Sequence, residues 1–215
     1  MAGEEQSHST AERFGQPIAL VLWLGAAVAL VTAIALPVQQ LLQSGGAATL
    51  DIDNPGSREL LATVPGLPPN TYLEPPYNGL TVNVVVESDP TGEPIPWTLR
   101  LLTDLGTSMW AAGLGIVAAL LAILLTRIAA GNPFHRGNAS LLRWLALTIA
   151  VASAGADTLN LLAAHAFVDY LDLSAPLEAV HYYSIPPFFL ALLILLLASA
   201  FARGRALQED VEGLV

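Results

Sequence analysis

The stretch GNPFHRGNASLLRW, residues 131–144, separates two long apolar runs of the chain. Gly131 and Pro133 are residue types that end one helix and turn the chain. Asn138 or Ser140 can then cap the helix that follows. The stretch therefore predicts a turn between two helices, and the apolar runs on both sides predict that these helices lie in a membrane.

The composition supports this interpretation. The chain has 215 residues, of which 54% are hydrophobic and 12% are charged, whereas a soluble domain carries about 25% charged residues. It has no cysteine, which excludes a disulfide framework, a thiol catalyst and a cysteine-based zinc site. Its formal net charge is −10. Because a nucleic-acid-binding protein needs a basic surface to neutralise phosphates, we expect no nucleic-acid partner.

Four regions are long and apolar enough to be transmembrane helices, which need roughly 20 such residues. They are 17–43, 106–130, 141–167 and 184–204. The first has an acidic leader and is too long for a signal peptide, so we expect it to remain uncleaved. The other ranges are the N-terminal tail (1–16), an extracytoplasmic segment (44–105), the hinge (131–140), an extracytoplasmic loop (168–183) and the C-terminal tail (205–215).

The positions of the arginines predict the orientation. Six of the eight basic residues lie in segments that four spans would place on one side: Arg13, Arg127, Arg136, Arg143, Arg203 and Arg205. An excess of arginine in short loops marks the cytoplasmic side. We therefore expect both termini and the hinge in the cytoplasm.

The extracytoplasmic segment is rich in proline and glycine, which favours turns. Within it LTVNVVVE, residues 80–87, is β-branched and typical of a strand. The predicted fold is therefore an all-α membrane protein, a four-transmembrane-helix bundle with a small β-rich extracytoplasmic segment between helices one and two. The acidic stretch 51–59 lacks the spacing of an EF-hand loop, which favours a solvated acidic surface over a calcium site.

A polar stripe interrupts the third span. Ser153, Asp157 and Asn160 are four and three residues apart and share one helix face. An ionisable group inside a membrane is costly and often functional. Asp157 is either an interhelical hydrogen-bond acceptor or a cation or proton site. The first interpretation is favoured, because transporters usually show several such groups and repeated halves with broken helices.

The chain shows no catalytic or metal-binding motif. His165 and His181 flank the predicted outer loop and, with Asp157 or Glu178, are weak candidate metal ligands, but a histidine pair without tight spacing seldom binds a metal. There is no nucleophile with its base and no phosphate-binding loop. We expect no metal, no cofactor and no enzymatic activity.

Small residues recur at four-residue intervals in the first two spans. Gly25, Ala29 and Ala33 form one pattern, and Ala111, Gly115 and Ala119 form the other. Such patterns predict close helix contacts. The contacts can lie within one chain or in a homo-oligomer.

The hinge and the tail each carry a motif. Residues that match a Gly-x-Pro-Phe…Asn…Leu-Arg pattern are Gly131, Pro133, Phe134, Asn138 and Arg143. Residues that match a Phe-x-Arg-Gly-x-x-Leu-x-x-Asp pattern before an apolar C-terminus are Phe201, Arg203, Gly204, Leu207, Asp210 and Val215. With the four-span layout, these motifs resemble a family of bacterial membrane proteins catalogued as domain of unknown function 2975. The resemblance implies a multi-pass protein of the bacterial plasma membrane and no established catalytic residues.

The resemblance also implies a class of partner, because some members of that family are encoded beside small helix-turn-helix regulators. The hinge motif is then either a helical hairpin that anchors the chain or a docking surface for a cytoplasmic protein. We expect a non-enzymatic accessory or regulatory subunit that acts through protein contacts. The alternative is a small-solute or ion transporter or channel that uses Asp157.

Overall fold

The computed structural model describes residues 2–42, 48–53, 72–74, 81–86, 91–133, 135–172 and 183–212. Within them lie four long helices: α1 (Ala2–Leu42), α2 (Trp97–Ala129), α3 (Asn138–Tyr170) and α4 (Pro186–Glu212). All four are long and apolar enough to cross a membrane. The prediction of an all-α chain with four helices of membrane-spanning length is confirmed.

Short strands lie between α1 and α2. They are β1 (Ala48–Asp53), β2 (Tyr72–Glu74) and β3 (Thr81–Val86). They pair antiparallel in the order β1-β3-β2, with Val84 of β3 opposite both Leu50 and Leu73. These strands do not establish the predicted β-rich extracytoplasmic segment, because much of the range 44–105 lies outside the described residues and part of it is helical.

Helix α2 begins earlier than the predicted span. The Pro96 carbonyl accepts hydrogen bonds from the backbone N–H groups of Leu99 (3.1 Å) and Arg100 (3.2 Å), so the helix starts at Trp97. Charged residues at the start of this helix made the sequence resemble a polar segment. In the structure Arg100 is nevertheless buried, and the Asp104 carboxylate accepts a hydrogen bond from Gln40 of α1.

The chain divides into two compact units. Unit one comprises 1–32, 111–153 and 184–215, and unit two comprises 33–110 and 154–183. In unit one, α2, α3 and α4 pack through two buried clusters. The first contains Leu145, Ala146, Ile149 and Ala191. The second contains Leu124, Leu142 and Ala198, with Phe201 packed against it.

Helix α1 packs on α2 in unit one through a close approach. A side chain added at Gly115 would meet Leu30 at 2.8 Å and the Ala26 carbonyl oxygen at 3.1 Å. The small-residue pattern of α2 is therefore confirmed as a helix contact at Gly115. The pattern of α1 is not confirmed at Gly25, which has no atom within 4 Å, and Ala26 is the buried residue instead.

In unit two, α2 and α3 also approach closely. A Cβ at Gly106 would overlap the Asn160 side chain and lie 3.0 Å from the Ala156 carbonyl oxygen. One turn along, the side chain of Met109 fills the space beside Gly155. Small residues on each helix thus accept larger side chains from the other.

Much of the apolar side-chain surface of these helices is exposed. On α1 and α4, exposed residues include Trp23, Leu24, Val28, Phe189, Leu193 and Leu196. A soluble monomer seldom leaves so much contiguous apolar surface in water. The exposed surface is therefore compatible with a multi-pass membrane protein whose helices contact lipid.

Candidate functional site

The hinge starts with a well-defined helix end. Gly131 has φ 77°, the left-handed conformation that glycine adopts without strain. Its N–H donates to the Ile128 carbonyl (3.0 Å), and the Asn132 N–H donates to the Arg127 carbonyl (3.1 Å). These two bonds form a Schellman motif. Pro133 follows and cannot continue the helix, so the chain turns where the sequence predicted.

Asn138, the first residue of α3, closes the turn from its other end. Its side chain is fully buried. The Nδ2 group donates to the carbonyls of Pro133 (2.8 Å) and Asn132 (3.3 Å), and Oδ1 accepts from Nη1 of Arg127 (3.4 Å). The side chain of Asn138 therefore holds the hinge together and is not presented to a partner.

The start of α3 is capped by His135. The Gly137 N–H donates to Nδ1 of His135 (3.0 Å), and the Asn138 N–H donates to the His135 carbonyl (2.9 Å). The Leu141 N–H then donates to the Gly137 carbonyl (2.9 Å), which is the first helical bond. Asn138 was one of two predicted caps, but its side chain is engaged with the turn. Nothing in the sequence pattern distinguished the histidine ring as the capping group.

Glu209 joins the hinge to the tail. Nε and Nη2 of Arg205 donate to its Oε1 at 3.0 and 2.7 Å. Nη2 of Arg136, in the hinge, lies 3.5 Å from the same oxygen. The side chain of Arg136 is 81% exposed and that of Glu209 is 50% exposed, so solvent screens the contact and it adds little to stability. The contact shows where the hinge and the tail meet.

The C-terminal end of α4, from Phe201 into the tail, has two faces. Phe201, Arg205 and Glu209 are four residues apart and lie on the face that contacts the core and the hinge. Arg203, Leu207 and Asp210 lie on the other side of the helix and are exposed. We name the exposed hinge and tail residues Arg136, Leu207, Glu209 and Asp210 the hinge–tail surface. Arg136 and Glu209 lie on the hinge side of α4, and Leu207 and Asp210 lie on its other side.

The motif residues named from the sequence have different surroundings. Gly131 and Pro133 form the turn, and Arg143 is exposed on α3. In the tail, Phe201 and Gly204 are half-buried. Phe134 and Val215 lie outside the described residues.

The polar stripe of α3 is divided between the two units. Ser153 belongs to unit one and is buried. Asp157 and Asn160 belong to unit two and are half-buried. Asn160 packs against Gly106 of α2, and Asp157 also has an interaction within the molecule. Both are therefore engaged with protein groups.

Unit two contains a polar group that the sequence analysis did not identify. Arg100, Asp104 and Ser108 are four residues apart on α2, and Arg100 and Ser108 are buried. Nε2 of Gln40 on α1 donates to Oδ2 of Asp104 at 2.8 Å. The four-residue spacing was visible, but these residues were assigned to an extracytoplasmic segment or to the edge of a span.

The structure describes one of the two histidines that were candidate metal ligands. His165 is exposed, and its Nδ1 donates to the Leu161 carbonyl at 2.9 Å. His181 lies outside the described residues. Among the described residues, no group of three or more histidines and acids could hold a metal ion.

Comparison of the chain with models of protein families, with curated proteins and with solved structures found no match. The resemblance of the hinge and tail to a bacterial membrane-protein family stays a prediction.

Proposed function

We propose that this protein is a non-enzymatic, multi-pass subunit of the bacterial plasma membrane that acts through protein contacts at the hinge–tail surface. The observation that supports it best is the contact of Arg136 with Glu209, at 3.5 Å. It brings the hinge and the exposed end of α4, the two segments that carry the sequence motifs, next to each other.

The rigidity of the hinge also supports this proposal. A docking surface binds more tightly when its shape exists before the partner arrives, because less conformational entropy is lost. The hydrogen bonds of Asn138 and the Schellman motif at Gly131 fix the backbone beneath Arg136. The tail is fixed in turn, because Phe201 packs against the cluster of Leu124 and Leu142.

The chemistry of the surface indicates the kind of partner. It presents one arginine, two carboxylates and the exposed side chain of Leu207. Mixed charges and an exposed apolar side chain suit a folded protein more than a nucleic acid, since the chain carries a net charge of −10. With both termini in the cytoplasm, the partner is a cytoplasmic protein, and a small helix-turn-helix regulator is the class that the sequence resemblance implies.

A pull-down of the tagged full-length protein in mild detergent tests the proposal. Leu207→Ala is the informative variant and Leu193→Ala is its control, because the two leucines are 67% and 62% exposed. We expect a stoichiometric cytoplasmic partner with the wild type and with Leu193→Ala, and a reduced yield with Leu207→Ala. Equal yields from both variants, or no stoichiometric partner, would contradict the proposal.

A transporter or channel remains the second candidate, and one observation favours it. Because α2 begins at Trp97, Arg100 and Asp104 belong to a helix of unit two, as does Asp157. Several ionisable residues within the helices are a feature of transporters. Ion flux into liposomes that falls with both Asp157→Asn and Asp104→Asn, and stays unchanged with Asp169→Asn, would support this candidate over the first.

A further inference from the structure

Two arginines at the hinge end of unit one have no side-chain partner among the residues that the structure describes. Arg143 and Arg203 are exposed. Within the described part of the chain they make no hydrogen bond and no ion pair. By contrast, Arg127, Arg136 and Arg205 each contact another side chain of the hinge or the tail. The guanidinium donors of Arg143 and Arg203 are available to an external group.

Arg143 lies at the end of a lipid-facing stripe on α3. The side chains of Trp144, Leu147 and Val151 are all exposed, and their spacing of three and four residues puts them on one face. Tryptophan is enriched at the boundary between lipid tails and water. The position of Trp144 next to Arg143 therefore places that guanidinium at the level of the lipid headgroups.

Arg203 ends the corresponding stripe on α4. The exposed side chains of Phe189, Leu193 and Leu196 share one helix face with Arg203. The two stripes end at the same end of unit one, because Leu142, next to Arg143, packs in one cluster with Ala198, and Phe201 packs against that cluster.

The sequence around Arg143 has no acidic residue, although the whole chain is acidic and the tail beyond Arg203 carries Glu209, Asp210 and Glu212. The sequence has no Asp or Glu between Asp104 and Asp157, and none between Glu178 and Glu209. No carboxylate near Arg143 in the sequence therefore competes for its donors. A guanidinium presents planar donors that match the oxygens of a phosphate.

We propose that Arg143, beside Trp144, and Arg203 bind the headgroups of anionic phospholipids at the hinge ends of α3 and α4. The arginines donate to the phosphate oxygens, and the exposed apolar stripes contact the acyl chains. The lipid is selected by its net negative charge, because a zwitterionic headgroup brings a cation close to the same arginines. This site does not depend on the proposed partner of the hinge–tail surface.

Native mass spectrometry of the full-length protein in detergent tests the site. An equimolar mixture of phosphatidylglycerol and phosphatidylcholine is added, and the ratio of the two retained lipids is measured. We expect the wild type to retain phosphatidylglycerol preferentially. In the Arg143→Gln/Arg203→Gln variant, the ratio of retained phosphatidylglycerol to phosphatidylcholine should be about tenfold lower. The control Arg136→Gln/Arg205→Gln removes the same charge from the hinge and tail and is expected to keep the preference.

Three results would overturn the site: no preference in the wild type, an unchanged preference in Arg143→Gln/Arg203→Gln, or an equal loss in the control. If Arg143→Gln/Arg203→Gln does not fold, the lipid preference of the wild type and its dependence on salt test the site. Added salt weakens exposed electrostatic contacts. Retention of phosphatidylglycerol must then fall with salt while that of phosphatidylcholine does not, and equal behaviour of the two lipids would reject the site.

Discussion

The side-chain amide of Asn138 donates a 2.8 Å hydrogen bond to the carbonyl of Pro133, so the first residue of α3 closes the turn that the proline opens. Asn138 is fully buried, and its other polar contacts, to Asn132 and Arg127, also lie within the hairpin. The shape of the hinge thus depends on a buried amide, while the charged side chain of Arg136 stays exposed.

Replacement of Asn138 by aspartate tests this role. Asn138→Asp keeps the shape but puts an acceptor where Nδ2 donates to two carbonyls. We expect a loss of about 2–3 kcal/mol in the free energy of unfolding, since buried carbonyls lose their donor. Thermal unfolding in detergent measures it. Asn132→Asp makes the same chemical change at an exposed position of the hinge, and a similar loss there would contradict the prediction.

The close contact between Asn160 and Gly106 predicts that substitutions at these two positions have non-additive effects on the free energy of unfolding. Gly106→Ala puts a methyl group onto the Asn160 side chain, and we expect a loss of about 1–3 kcal/mol from overpacking. Asn160→Ala removes the overlapping atoms. The double variant should therefore be less destabilised than the sum of the two single variants, as a double-mutant cycle measures. Simple additivity would show that the two residues do not meet in this way.

Removal of the charge of Asp157 separates its two interpretations. If the carboxylate only accepts a hydrogen bond, Asp157→Asn keeps an acceptor oxygen, and the free energy of unfolding should change by less than about 1 kcal/mol. Asp169→Asn, at an exposed position of the same helix, provides the baseline. A much larger loss with Asp157→Asn would mean that the charge of Asp157 is paired.

The absence of cysteine makes the orientation directly measurable. We expect Pro90→Cys to react with a membrane-impermeant thiol reagent in intact cells, whereas Arg136→Cys and Leu207→Cys should react only after the membrane is opened. This result follows from the arginine excess of the hinge and tail. Labelling of Arg136→Cys in intact cells would reverse the orientation.

The sequence predicted those features that depend on local chemistry and missed those that depend on tertiary burial. Gly131 and Pro133 indicated the turn, because few other residues suit those backbone positions. The start of α2 at Trp97 lies outside the predicted span because the charged residues Arg100 and Asp104 favoured a polar segment. The burial of Arg100 and the bond of Asp104 to Gln40 depend on the tertiary fold.

The same distinction applies to the candidate site. Asn138 was predicted as a docking or capping residue, since an asparagine in a turn is usually exposed, but here it is buried. The Arg205–Glu209 pair could have been predicted from its i,i+4 spacing. The contact of Glu209 with Arg136 could not, because it requires that the hinge and the tail meet in the fold.

Site-specific photo-crosslinking in cells tests the docking role of the hinge–tail surface. A photoreactive residue is placed singly at Arg136, at Leu207 and, as a control on the exposed apolar face of α4, at Leu193. The account predicts that Arg136 and Leu207 crosslink to the same cytoplasmic protein and that Leu193 does not. Crosslinks from all three positions to the same protein, or none from Arg136 and Leu207, would contradict a docking role of the hinge–tail surface.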